Sequence, residues 1–106
     1  MIKEMIINKI KGYLNIAIKG SYVIFGADNL KGYNHKLYLV IYREDCGKSI
    51  SKLIDGFKVK EIECLKLSVD DMTNITNNDN CKLLAIKNKG LSDQIVKLYS
   101  NLNENN

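Results

Sequence analysis

A chain of 106 residues, 45% hydrophobic and 26% charged, has the size and balance of one globular domain around a single core. No apolar run approaches the roughly 18 residues of a membrane span. The N-terminal stretch mixes charges into its apolar residues and lacks a signal-peptide core, so the sequence reads as cytoplasmic. The net charge of +4 is uneven: residues 1–60 carry eleven Lys/Arg against five acids, and residues 61–106 carry five against seven. The basic surface therefore belongs to the first half, a pointer toward a polyanionic partner.

Residues 2–19 place Ile2, Ile6, Ile10, Tyr13, Leu14 and Ala17 on one helical face, and Gly20-Ser21 closes that helix. On its opposite face Lys3, Lys11 and Lys19 recur at eight-residue intervals, as a solvated surface does. Tyr22–Phe25 reads as a short strand stopped by Gly26, and Asp28-Asn29 as the cap of a brief helix reaching about Tyr33. Lys36–Arg43 is the clearest strand, apolar enough for burial on both faces. After the Glu44–Gly47 turn, Lys48–Phe57 reads as a helix with Ile50, Leu53, Ile54 and Phe57 on one side. Ile62–Leu67 is a strand, and Ser68 with Asp71 resembles a capping box opening a short helix near Met72 and Ile75. Asn77–Asn80 is a turn cluster, Cys81–Lys87 a strand, and Leu91–Leu102 a final helix. The order α-β-α-β-α-β-α-β-α predicts an α/β fold. Its expected form is a three-layer α/β/α sandwich around a mixed sheet of about four strands. Residues 1–100 are expected to form this one domain and residues 101–106 a polar frayed tail.

Three constellations suggest chemistry and fall short of it. The cysteines Cys46, Cys64 and Cys81 are odd in number, lack a C-x-x-C and have one histidine, His35, for company. That excludes a structural zinc site and fits reduced thiols. Gly47-Lys48-Ser49 before a helix imitates a phosphate-binding loop, but Tyr42 stands where the leading glycine belongs. Cys46 at a helix start would need His35 as its base, yet the two lie at opposite ends of one strand, about 25 Å apart. No enzyme, metal or cofactor is expected. What remains is a binding surface: Lys31-Gly32-Tyr33-Asn34-His35-Lys36 interleaves cations with aromatic and amide side chains. Such a mixture can hold phosphates and stack on an unpaired base.

The stretch Tyr13-Leu-Asn-Ile-Ala-Ile-Lys-Gly-Ser-Tyr-Val-Ile-Phe-Gly26 resembles the first helix and glycine-loop entry of the ribosomal protein L-seven-Ae / L-thirty-e superfamily, closest to its bacterial YlxQ-like branch. The likeness continues through Lys36–Asp45, Asp71-Met72 and Cys81–Leu98, and spans about residues 6 to 100. The resemblance implies a non-enzymatic, monomeric binder of structured, kink-turn-like RNA, associated with rRNA or the ribosome, with no membrane or small-molecule partner. It also implies that the Gly26 loop enters the bent RNA. The motif is altered: Asp28 replaces the usual asparagine, Asn29 the usual glutamate and Gly32 the usual lysine, with Lys31 one position early. By this resemblance Gly26 admits close backbone approach, Asn29 meets a base edge, and Asp28 would repel a phosphate unless it pairs with a base donor. Lys31, Lys36 and Arg43 meet phosphates, and Glu44 and Asp45 lie near the RNA or cap the following helix. A second contact region, Thr73–Asn77, brings Asn74 and Ile75 to the bases. The rival expectation is a protein-interaction module that kept the fold and lost the RNA.

Overall fold

Apolar residues three and four apart build helices in this chain, and apolar runs of four or five build strands between them. The computed structural model describes residues 2–104. It shows α1 (Lys3–Lys19), β1 (Val23–Phe25), α2 (Ala27–Lys31), β2 (Leu39–Arg43), α3 (Gly47–Val59), β3 (Glu63–Leu67), α4 (Val69–Thr76), β4 (Leu83–Ile86) and α5 (Lys89–Glu104). The four strands form one mixed sheet in the order β1-β4-β2-β3. β4 runs antiparallel to both neighbours, pairing Val23 with Ile86 and Tyr42 with Leu83. β2 and β3 are parallel, with α3 as the crossover between them.

The two-residue period of the strands sorts the core into two layers. Leu39, Ile41, Leu65, Leu67, Leu84 and Ile86 face α1, α4 and α5, where Ile6, Ile7, Ile10 and Leu14 meet them. Val40, Leu83 and Ala85 face the other way, onto Leu30 of α2 and Ile54 and Phe57 of α3. Each fully buried side chain of this kind contributes roughly 1.5–3 kcal/mol. β2 and β4 are covered on both faces, as the apolar run of β2 predicts. The result is the expected three-layer α/β/α sandwich. Among the described residues, no helix is long and apolar enough to cross a membrane.

Several local expectations change. α1 turns Ile7 inward and leaves Ile2, which precedes the helix, 63% exposed. Ser21 takes the left-handed conformation after α1 (φ 62°), while Gly20 keeps a negative φ. The Ser68 hydroxyl accepts from the Asp71 N–H, as one half of a capping box should. The Asp71 carboxylate reaches Lys3 of α1 at 3.1 Å, so Lys3 ties two helices together and is not merely solvated. β2 begins at Leu39, three residues later than expected, because Lys36–Tyr38 form the approach to the sheet. The expected tail is helical through Glu104 because Leu102 is buried against the α1 layer; residues 105 and 106 lie outside the described residues.

Candidate nucleic-acid interface

At the end of the sheet where β1 finishes and β4 starts, three connections converge. The first is the turn from β1 into α2. Gly26 adopts φ 87° and ψ 153°, a conformation close to glycine-only for L-residues. Its N–H donates to the Leu83 carbonyl at 3.0 Å, which fastens the turn to β4. A Cβ on Gly26 would meet nothing within 4 Å, so the backbone angle alone demands glycine and the outer face stays open. Asn29 donates from Nδ2 to the Phe25 carbonyl at 2.7 Å and locks the turn from the helix side. This corrects the expected cap: Gly26 opens α2, and Asp28 and Asn29 lie within it. Asn29 thus spends one N–H on the fold. Asp28 is exposed in the first turn and Lys31 in the last, both favourable to the helix dipole.

The second connection joins α4 to β4. Asn77 closes α4 in the left-handed conformation (φ 55°), and the Asn78 side chain accepts from the Asn80 N–H at 2.8 Å. Phe25, Gly26, Asn78, Asn80 and Lys82 line a shallow cleft of about 230 Å³ between the two connections. Phe25 is 40% exposed there. The loop beside the glycine turn is therefore Asn78–Lys82, a few residues beyond the expected Thr73–Asn77. Asn74 stands exposed on α4, whereas Ile75 is 1% exposed and belongs to the core, so it has no surface to offer a base.

The third connection, from β2 into α3, holds the second in place. Arg43 is buried, and its Nε and Nη2 donate to the two carboxylate oxygens of Asp45 at 2.6 and 3.2 Å. Its Nη1 donates to the Asp79 carbonyl at 2.5 Å. The guanidinium holds the Asp45 carboxyl below its ordinary value of 3.8, mainly through the side-chain hydrogen bonds. Arg43 was expected to meet a phosphate. It instead clamps the Asn78–Lys82 loop, because its fork geometry suits one carboxylate and one carbonyl on the inside of the turn. Asp45 and Glu44 likewise do not cap α3, which starts without a side-chain cap. Asp45 serves the clamp; Glu44 donates its N–H to the Leu67 carbonyl at 2.8 Å and leaves its side chain exposed. Gly47 has φ 85°, so this turn requires glycine on backbone grounds.

Of the residues singled out from sequence, Gly26, Asp28 and Asn29 share this end with the Arg43–Asp45 pair. Lys36 does not: it lies beyond the opposite end of β2, with its Nζ 5.3 Å from the Tyr38 ring centre. Phe25, Asn78, Asn80 and Lys82 were not expected as contacts. Phe25 ends β1 and is 40% exposed there, although it shares the face of the packed Val23. The position of Lys82 depends on strand order, which one sequence does not display. Burial pushes the Cys64 thiol up to about 11 and raises Cys81 as well, which keeps both protonated near neutrality. All three cysteines are free, and no group of metal-ligating side chains occurs among the described residues.

No family model matches the chain, and no curated protein matches it. Its fold is similar to a solved structure from Bacillus halodurans, reported as a protein with unknown function. The two share 18% identity with a TM-score of 0.69, over 85% of this chain and 95% of that one. The likeness supports the mixed α/β architecture.

Proposed function

We propose that the chain is a non-enzymatic RNA-binding protein of the L-seven-Ae / L-thirty-e type, and that the Gly26 end of the sheet meets a structured, kink-turn-like RNA. One observation carries this reading. A glycine-only backbone turn with an open outer face stands beside a self-bonded polar loop holding Asn78, Asn80 and Lys82. An open glycine backbone accommodates close approach by a phosphate backbone, and amide side chains offer both donors and acceptors to base edges. Lys82 supplies a cation in the cleft and Lys31 another at the end of α2, while the Arg43 clamp ties down the loop. The same reading makes the protein a cytoplasmic component of a ribonucleoprotein, with rRNA among its candidate ligands.

The test is titration against a kink-turn RNA and an unbent duplex of equal length, at two salt concentrations. Selective binding to the kink-turn that weakens with salt is the expected result, since each neutralised phosphate releases counterions. Lys82→Ala and Asn29→Ala should each weaken that binding, by up to roughly tenfold. Equal affinity for both RNAs, or none, overturns the reading.

A second reading has its own observation. Met5 and Ile16 are 50% and 56% exposed on the outer side of α1, either side of Gly12 and Lys9, and Ile2 extends the same apolar strip. Such a strip suits a protein partner, and loss of RNA binding in the titration would favour a protein-interaction module built on this helix.

A further inference from the structure

A cleft of about 660 Å³ lies at the other end of the sheet, away from the Gly26 turn. Three separate parts of the chain build it. The connection from α2 to β2 supplies Tyr33, Lys36 and Tyr38; the end of α3 supplies Phe57 and Lys60; the start of α5 supplies Lys89. Among the described residues, Glu61 is the one carboxylate in the lining against these three lysines. Lys89 is partly answered by Asp93, whose Oδ2 lies 2.7 Å from its Nζ. Among the described residues Lys36 and Lys60 have no ion-pair partner. Three lysines against one carboxylate leave the lining net positive, which favours an anion seated there.

The aromatic content narrows the anion. The Lys36 ammonium sits over the Tyr38 ring at 5.3 Å, so a cation and a flat apolar surface occupy one wall. His35, also in the lining, packs edge-on against Tyr33 at 5.4 Å between ring centres and holds the loop in shape. Asn34 adds an amide able to donate and accept. An inorganic anion would leave most of this hollow unfilled, whereas clefts of roughly 300–1,000 Å³ take ligands of nucleotide size. Stacking on a tyrosine or histidine ring next to lysine-held phosphate is how proteins take an unpaired base without reading its identity.

We propose that the cleft between the α2–β2 connection, the end of α3 and the start of α5 binds a nucleotide unit. Lys36 and Lys60 meet its phosphate, and the Tyr38 and His35 rings lie against its base. The shared chemistry is phosphate plus base, supplied by a free mononucleotide or by an unpaired RNA strand. This inference stands on its own cleft and does not depend on the RNA reading of the Gly26 end.

The experiment follows backbone amide shifts of the full chain by nuclear magnetic resonance during titration with AMP, UMP, inorganic phosphate and a short single-stranded oligoribonucleotide. Saturable shifts confined to the amides around Tyr38, Lys60 and Ile62 are expected with the nucleotides. The double variant Lys36→Ala/Lys60→Ala should weaken them about tenfold or more, while Asn29→Ala at the other end leaves them unchanged. Both lysines are exposed, and unaltered spectra elsewhere in the chain verify that the variants fold. A tighter oligonucleotide than mononucleotide assigns the site to an RNA strand; the reverse assigns it to a free nucleotide. Phosphate alone binding as tightly as AMP, shifts scattered over the basic surface, or no saturable shift with any probe would overturn the proposal. Kink-turn selectivity is read separately, through the Gly26-end variants, so the two readings fail independently.

Discussion

The two ends of the sheet present different chemistry. At the Gly26 end the backbone is committed: a glycine-only turn, a hydrogen bond from Gly26 to Leu83, a self-bonded Asn78–Asn80 loop and a buried guanidinium tying that loop to β2. At the far end the lining is side chain on side chain, with lysines and rings from three elements around a larger hollow. The first arrangement offers shape with one lysine in its cleft; the second offers three lysines and ring surfaces on a frame fastened by backbone hydrogen bonds from Tyr38 to Ile86 and from Ile62 to Phe57. Sequence proximity misleads about both. Lys31 and Lys36 are neighbours in the chain, yet Lys36 lines the far cleft while Lys31 closes α2.

The contrast can be broken most forcefully from inside. Ile75→Ala removes a fully buried side chain from the α1/α4 layer and should cost about 3–4 kcal/mol, whereas Asn74→Ala one residue earlier should cost a few tenths. A small effect of Ile75→Ala on denaturant midpoint would put that residue back on the surface. Arg43→Ala comes next, at roughly 2–4 kcal/mol, because it deletes buried packing and leaves the Asp79 carbonyl without its donor. Hydrogen exchange should quicken in residues 78–82 and stay unchanged around Tyr38 and Lys60; equal quickening at both ends would mean that the clamp supports the whole sheet. Gly26→Ala should cost about 1–3 kcal/mol through backbone strain alone, since the added methyl meets no atom. A gain in thermal midpoint on that substitution would show that the turn does not need its positive φ.

The legible parts of this molecule were those set by periodicity. The buried faces of α1 and α3, the double-sided burial of β2 and the Ser68 cap follow from spacing a few residues long. Roles that depend on strand order were not legible. Arg43 is a cation at a strand end, which in sequence looks like any phosphate ligand; only the placement of β4 beside β2 brings the Asp79 carbonyl within its reach. Ile75 looks exposed within the polar Thr73–Asn77 stretch until α4 forms and turns it onto the core. The Asn29 side chain resembles a free recognition group until Gly26 reverses the chain and sets the Phe25 carbonyl four residues back within 2.7 Å. Tyr33 and Lys36, expected on a binding surface, are joined in the cleft by Lys60 and Lys89, which no local pattern connects to them.

The smallest effect separates the two ends by pH. Unfolded, Asp45 titrates near its ordinary 3.8; folded, it titrates lower, chiefly because it accepts the Arg43 hydrogen bonds, with Lys82 adding to the pull. A carboxyl lowered on folding contributes its stability fully above the unfolded value, and loses it as pH falls through the folded value. The clamp should therefore be intact near neutrality and should loosen only in acid, below pH 3.8. Arg43 keeps its charge and its bond to the Asp79 carbonyl throughout, so the loosening is partial. Thermal midpoints of the wild type and Asp45→Asn should differ by a constant amount between about pH 5 and 7 and converge as pH falls below 3.8. Amides of residues 78–82 should lose protection over that acid range before those around Tyr38, whose cleft contains no part of the clamp. A difference that persists undiminished into acid would mean that Asp45 acts by shape and not by charge, and the preorganisation of the Gly26 end would then rest on Arg43 and the Asp79 carbonyl alone.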